Sequence, residues 1–405
     1  MNKQMNIEEQ LRPYIEDVEK VVLYNQEKVL DAFQNKRVSD RHFHSETGYG
    51  YDDEGRETLE GVYAEIFRGE DALVRPQFVS GTHAISTAFF GTLRPGDKLV
   101  YITGDPYDTL EKVIASSAGE DNGSLDDYGI GYESLPLFEG GVDVDRLSEV
   151  MTPETKMVAL QRSKGYADRP SFTIDEIEEV IREVRKIRSD VVVFVDNCYG
   201  EFVETKEPLE VGADLIAGSL IKNPGGGIVR TGGYIAGRKE LIHKCANRLT
   251  APGLGKGMGA SLSVLQEMYQ GIFLAPHTVG EALKGALFTA KYLEEEGFVS
   301  KPSFDEKRTD LIQAVHFQEA KQMIEFCRQI QAASPVNAFV TPEPSPLPGY
   351  DSEVIMAAGT FIQGASLELT ADGPVRPPYM AFVQGGLTYE HVKIAVKRAV
   401  EAIKL

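Results

Sequence analysis

Apolar positions recur in two different rhythms along the chain, and the change of rhythm divides it. Over residues 6 to 38 they fall at helical spacing between charged positions, as at Leu11, Ile15, Val18, Val22 and Tyr24. This predicts a helical arm within residues 1–45, interrupted in its first turns by Pro13, which has no N–H to give a helix. The next segment, RHFHSETGYGYDDEGRETLEGVYAEIF, starts as a loop dense in glycine, tyrosine and acid and turns helical near Glu57. From residue 72 to about 271, short β-branched runs alternate with helical stretches; VRPQFVS, KLVYITG and KMVALQ are strand candidates. That alternation predicts an α/β fold with a mostly parallel sheet covered by helices on both faces. After a helical stretch from 279 to 296 the texture changes again. DLIQAVHFQ, NAFVTP, EVIMAAGTFIQGASLELT and YMAFVQGG read as strands around the helix EAKQMIEFCRQI, and a last helix begins near Thr388. The expected organisation is the arm, a large domain over 46–280 and a smaller α+β domain over 281–405, with TPEPSPLPG at 341–349 a surface loop.

Two of the apolar runs end in residues that can do chemistry. Residues 191–195, Val-Val-Val-Phe-Val, read as a strand buried on both faces and place Asp196 at its carboxyl end. Residues 213–221 read as the neighbouring strand and deliver Lys222 to the same rim, followed by Gly225-Gly226-Gly227. In open α/β sheets that rim is where ligands bind. A carboxylate and an amine there suit pyridoxal phosphate, whose aldehyde takes a lysine as a Schiff base and whose pyridinium nitrogen takes an acidic partner. A phosphate needs backbone amides and hydroxyls, and Ser80-Gly81-Thr82-His83, where a strand turns into the helix AISTAFFG, is the natural supplier. Tyr107, after KLVYITG, sits at the same rim. His83 could stack on a ring or titrate, but its cationic form is disfavoured in a helix's first turn, so Tyr107 ranks above it.

The stretch VDNCYGEFVETKEPLEVGADLIAGSLIKNPGGGIVRTGGYIAG, residues 195–237, resembles the trans-sulfuration enzymes of cysteine and methionine metabolism, which are fold-type I pyridoxal-phosphate proteins. It carries their Asp-Asn after a strand, a Gly-Ala-Asp strand, a Ser three residues before the Schiff-base Lys, and a glycine-rich turn. Over its whole length the chain looks similar to a branch described as methionine γ-lyase-like or cystathionine β-lyase-like and often labelled an aluminium-resistance protein.

The resemblance implies that Lys222 and Asp196 are catalytic, that Gly81, Thr82 and Ser219 hold the cofactor phosphate, and that Tyr107 stacks on the pyridine and assists proton movement. It implies Tyr51 as a contribution from a neighbouring subunit, within a homodimer or a tetramer of dimers. Arg376, in ADGPVRPPY, lies near where the family places the arginine for the substrate carboxylate. Arg162 or Ser163 replaces an Asn-Pro element near the cofactor's phenolic oxygen. Two departures stand out. Ile221 replaces the usual threonine before the lysine, and Tyr51-Asp52-Asp53 replaces Tyr-x-Arg, which leaves Arg56 as a nearby guanidinium. The implied activity is carbon–sulfur bond elimination from the β or γ carbon of a sulfur-containing amino acid, such as cystathionine or methionine. The same first proton abstraction also serves transamination, aldol cleavage and γ-replacement, and a non-catalytic, cofactor-binding regulatory protein is the alternative from another class.

Charge and cysteine content narrow the partners. A formal net charge of −20 repels phosphate backbones and anionic lipid, which disfavours nucleic acid and membrane surfaces. The start of the sequence has no basic region followed by an apolar core, and no apolar run approaches the roughly 20 residues needed to cross a bilayer, so a cytoplasmic location is expected. Cys198, Cys245 and Cys327 form no CxxC pair, which fits reduced thiols. Gly255-x-Gly257-x-x-Ala260 imitates a dinucleotide fingerprint but follows a helical stretch rather than a strand. His42-x-His44 beside Asp52, Asp53 and Glu54 is a weak metal pattern, and no metal is expected.

Overall fold

The computed structural model describes residues 3–115, 121–347, 350 and 352–404; the last residues of the expected 341–349 loop, 348 and 349, lie outside them. Strand residues in the first sheet alternate between two cores. In the fully buried strand Val192–Asp196, Val193 and Val195 enter one apolar cluster and Val192 and Phe194 the opposite one. This is why the run reads as continuously apolar rather than alternating. The helices Glu54–Ile66, Ile174–Ile187 and Leu265–Glu295 fill the first cluster, while Gly81–Thr92 and Lys239–Leu249 fill the second. Ile174–Ile187 shows the local logic: Ile174, Ile177, Val180, Ile181 and Val184 form its buried stripe, and Thr173 and Glu176 cap it reciprocally.

The strands of this sheet are β1 (Asp71–Arg75), β2 (Lys98–Tyr101), β3 (Gly131–Ser134), β4 (Thr155–Gln161), β5 (Val192–Asp196), β6 (Leu215–Ser219) and β7 (Gly233–Gly237), in the order β1-β7-β6-β5-β4-β2-β3. β7 is antiparallel to both neighbours and the other pairings are parallel. The second sheet comprises β8 (Val299–Lys301), β9 (Gln313–His316), β10 (Val354–Ala357), β11 (Thr370–Pro374) and β12 (Met380–Gln384), ordered β10-β11-β12-β9-β8 and antiparallel throughout. Its Val315, Ile355, Ala371, Ala381 and Val383 pack with the helices Ala320–Ala332 and Tyr389–Ile403. Its Ala314, Met380 and Phe382, together with Ile312, meet Tyr166 and Tyr199, which come from loops beyond the carboxyl ends of β4 and β5. The second sheet therefore roofs the rim where Asp196 and Lys222 emerge.

Several expected boundaries move. The first helix runs unbroken from Lys3 to Asn35 with Pro13 inside it, because packing against the long helix Leu265–Glu295 outweighs one missing hydrogen bond. That long helix likewise begins 14 residues before the expected start at 279 and carries Pro276 in its interior. Of VRPQFVS only Val74 and Arg75 stay in the sheet, since Pro76 lacks the ladder N–H. NAFVTP is not a strand: Asn337 takes φ 53°, a turn joins Asn337 to Val340, and Phe339 is exposed. EVIMAAGTFIQGASLELT breaks after Ala357, and the Glu368 carboxylate holds the following loop by accepting from the N–H groups of Phe361 and Ile362. No helix among the described residues is long and apolar enough to cross a membrane.

Candidate active site

Lys222 lies three residues beyond the end of β6, where the chain turns sharply through Asn223–Gly225. The turn requires glycine. A Cβ on Gly225 would stand 1.8 Å from the carbonyl oxygen of Leu220, and one on Gly271 of the long helix 2.5 Å from the carbonyl oxygen of Gly225. Two backbones thus touch directly, and the contact fixes where the lysine stem leaves the sheet. The Lys222 ammonium lies 4.0 Å from the centre of the Tyr199 ring. Burial would lower its pKa, but Cys198, Tyr199, Asp196 and Tyr107 outweigh that and hold it well above the ordinary lysine value.

Asp196 ends β5 and is buried. Burial pushes its carboxyl pKa up; Lys222, the Cys198 backbone N–H, the Cys198 thiol and Arg169 pull it down. The Cys198 N–H donates to Asp196 Oδ1 at 3.1 Å. Burial and the Asp196 charge raise the Cys198 thiol well above its usual range, so it stays neutral and inert near pH 7.

Opposite these groups stands the start of the helix Gly81–Thr92. Ser80 caps it by accepting from the His83 N–H at 3.0 Å. A Cβ on Gly81 would approach the Ser219 Cβ to 3.2 Å and the Cys198 sulfur to 3.5 Å, so glycine here keeps open a cradle between the helix start and the ends of β5 and β6. Thr82 Oγ1 and the Tyr107 hydroxyl are 2.9 Å apart, and the Tyr107 N–H donates to Gln161 Oε1 at 3.1 Å. The Tyr107 phenol, half-buried and beside Asp196, is held neutral by the removal of its surroundings from water and by that charge. Ser219 Oγ accepts from the Ile221 N–H at 3.4 Å. Lys222, Asp196, Tyr107, Gly81, Thr82 and Ser219 thus share one rim, with hydroxyls and helix-start amides on one side and an acid on the other.

Other residues singled out by the sequence go elsewhere. His83 Nδ1 accepts from the Val79 N–H at 3.2 Å and its ring meets Phe78 edge-on, so it serves the helix start. Tyr51 is 57% exposed, and its hydroxyl donates to the Met258 sulfur at 4.0 Å rather than reaching Lys222 of its own chain. Arg56 is not a free guanidinium: it is buried, donating to the carbonyls of Gly50 at 2.6 Å and Gly259 at 3.0 Å, which ties the Tyr51 loop to the turn Gly255–Gly257. Arg162 is likewise committed, to Asn197, Glu204 and Thr309 at 2.9, 3.2 and 3.1 Å, and Ser163 donates to Asp310. Arg376 is exposed on the turn between β11 and β12. His42 Nδ1 accepts from the Ser39 N–H.

The geometry adds residues that the pattern did not mark. Tyr199 takes φ 70° in the turn after β5, a left-handed conformation unusual for tyrosine, and this brings its ring to Lys222. Arg169 anchors the loop after β4 through the carbonyls of Gln161 and Ser163 and faces Asp196; burial lowers its pKa to about 10. Neither stands at a strand end, where the sequence directs attention.

An open α/β rim thus carries a half-buried lysine, a buried acid and a helix start side by side, the arrangement of an α/β protein with its candidate site at the carboxyl ends of the strands. The chain belongs to the methionine gamma-lyase family, whose profile matches residues 1–404. It is 58% identical over 400 residues to the uncharacterised protein YnbB of Bacillus subtilis, covering 98% of this chain and 95% of that one. Among solved structures, it is similar to a Listeria monocytogenes protein described as a candidate cystathionine beta-lyase involved in aluminium resistance. That likeness has a TM-score of 0.96 and 60% identity and covers 98% of each chain. A Clostridium novyi protein described as a carbon-sulfur lyase involved in aluminium resistance matches with TM-score 0.94 and 47% identity, over 98% of this chain and 94% of that one.

Proposed function

We propose that the chain is a fold-type I, pyridoxal-phosphate-dependent carbon–sulfur lyase acting on a sulfur-containing amino acid. The observation that carries this reading is the convergence of Lys222 and Asp196 beside the Gly81 cradle. The residues present suit the cofactor: Gly81, Thr82 and Ser219 would hold its phosphate, Tyr107 would cover its ring, and Asp196 and Lys222 would meet its ring nitrogen and its aldehyde. Pyridoxal phosphate, when bound, supplies an electron sink conjugated to the substrate's α carbon.

Asp196, kept in a dry pocket with Lys222 and Arg169 as counter-cations, would hold a proton on the ring nitrogen. Lys222 Nζ would take the proton from the substrate's Cα. The Tyr199 ring at 4.0 Å limits where that amine can swing and favours its cationic form. Tyr107, neutral and hydrogen-bonded to Thr82, is placed to give a proton to the sulfur as it leaves. The C–S bond breaks with its electron pair going to sulfur, which leaves as a thiol. The exposed Tyr49 and Tyr51, 67% and 57% accessible, fit a homodimer in which a second copy completes the site.

Purified protein incubated with cystathionine and with methionine should release pyruvate or 2-oxobutanoate together with a thiol. Asp196→Ala should retain cofactor yet lose at least about 100-fold in turnover. Undiminished turnover in that variant, or no keto acid from the parent chain, would contradict the reading.

A further inference from the structure

Asp372 sits on the face of the second sheet that looks toward Tyr199, two residues from Thr370 along β11 and so on the same face, and opposite Phe382 of β12. It is 4% exposed. Gln384 Nε2 donates to its Oδ2 at 3.2 Å and the Tyr166 hydroxyl also reaches the carboxyl, while Oδ1 is left without a partner, as is the equally buried Thr370 Oγ1. A carboxylate on an internal face is expected to have its lone pairs filled, so an empty one beside a reaction centre marks the place of a ligand group. Aromatic rings wall the space between it and Lys222. Tyr199 touches the lysine on one side and packs with Tyr166, Ile312 and Phe382 on the other. Tyr166 in turn lies 5.2 Å from Phe382 and 5.8 Å from Tyr350, centre to centre.

Resting on the function proposed above, we infer that Asp372 sets the substrate class. Its carboxylate receives a hydrogen-bond donor at the far end of the sulfur side chain, a protonated amine above all, so amino acids whose leaving thiol carries such a group are preferred to those that lose a bare alkyl thiol. The aromatic walls accept the thioether and methylene part, and the donor meets the unfilled Asp372 Oδ1 beyond them.

Burial raises the Asp372 pKa to about 7, with Tyr166 and Gln384 opposing the rise. The other titratable groups that face it, Tyr199, Tyr350 and Cys327, all have raised pKa values and stay neutral through that range. The preference for a cationic arm should therefore strengthen from pH 6 to pH 8 as Asp372 ionises.

The test is the ratio of kcat/KM for cystathionine to that for methionine between pH 6 and 8, alongside the ratio of their dissociation constants from visible-absorption titration. The parent chain should favour cystathionine at least tenfold, increasingly with pH. In Asp372→Asn the ratio should fall at least tenfold and lose its pH dependence. Gln384→Leu, which removes the donor on Oδ2, should move the midpoint of the rise to higher pH. An amino acid with a hydroxyl in place of the distal amine should bind with a weaker pH trend, separating charge from hydrogen bonding. A folded, cofactor-loaded Asp372→Asn protein with both ratios and their pH profiles unchanged would overturn the inference. Should neither amino acid turn over, the lyase reading fails, and the dissociation constants alone decide the role of Asp372.

Discussion

At the scale of single residues, buried acids lie on both sides of the Lys222 rim. Below it, Tyr234 donates to Glu201 Oε1 at 2.8 Å, Asn197 bridges toward Glu207 at 2.9 Å, and Arg162 closes the chain on Asn197. The chain of contacts leaves Glu201 Oε2 unpartnered, and burial lifts the Glu201 pKa to about 8. A carboxyl whose pKa is higher folded than unfolded holds a proton in the native state that the unfolded chain has lost. Its effect on stability therefore becomes unfavourable as pH climbs from about 4.5 to 8. Glu201→Gln should remove that loss, stabilising the protein by on the order of a few kcal/mol at pH 8 and by little at pH 5. Thermal denaturation at the two pH values measures it, and equal gains at both would show that Glu201 does not titrate this way.

Elements decide where the reactive groups stand. Lys222 depends on the glycine turn that follows β6, and that turn depends on the long helix passing within backbone contact of it. Gly225→Ala should displace the turn, because the new methyl has no room beside the Leu220 carbonyl. The expected cost is about 3 kcal/mol or more in denaturant unfolding, with a parallel loss of bound cofactor; stability and cofactor content equal to the parent's would refute the packing argument. What the sequence made legible follows the same division. Asp196, Lys222, Ser219 and the Gly81 cradle stand at strand ends or a helix start, and the buried strands announce themselves by β-branched runs. Tyr199, Arg169 and Asp372 were illegible because their roles come from long-range contacts: a left-handed turn, a loop folding back on Asp196, and an antiparallel sheet closing over the rim. Arg376 drew notice four residues from Asp372, yet the hairpin carries it to an exposed turn. Arg56, the guanidinium nearest the Tyr51 loop, and Arg162, expected near the cofactor's phenolic oxygen, are instead spent on buried carbonyls and carboxylates.

Across the whole molecule, two sheets meet where a lysine, an acid and an anion cradle converge. Arg56 and Arg75 fasten the Tyr51 loop and the Gly255–Gly257 turn into one rigid edge, Arg75 through a 2.6 Å bond to buried Glu60 and carbonyl bonds to Met258 and Lys256. That edge presents the exposed aromatic residues Tyr49 and Tyr51. The central claim is that the Lys222 amine bonds a pyridoxal phosphate seated between Asp196 and the Gly81 cradle. The visible absorption of the purified, cofactor-loaded protein, recorded against Lys222→Ala before and after adding a sulfur-containing amino acid, addresses it most directly. The parent should show an absorption band that sodium borohydride abolishes with covalent retention of the cofactor and that shifts on adding the amino acid; Lys222→Ala should show neither the fixation nor turnover. Identical spectra and fixation in the two proteins, or no retained cofactor in the parent, would contradict the account.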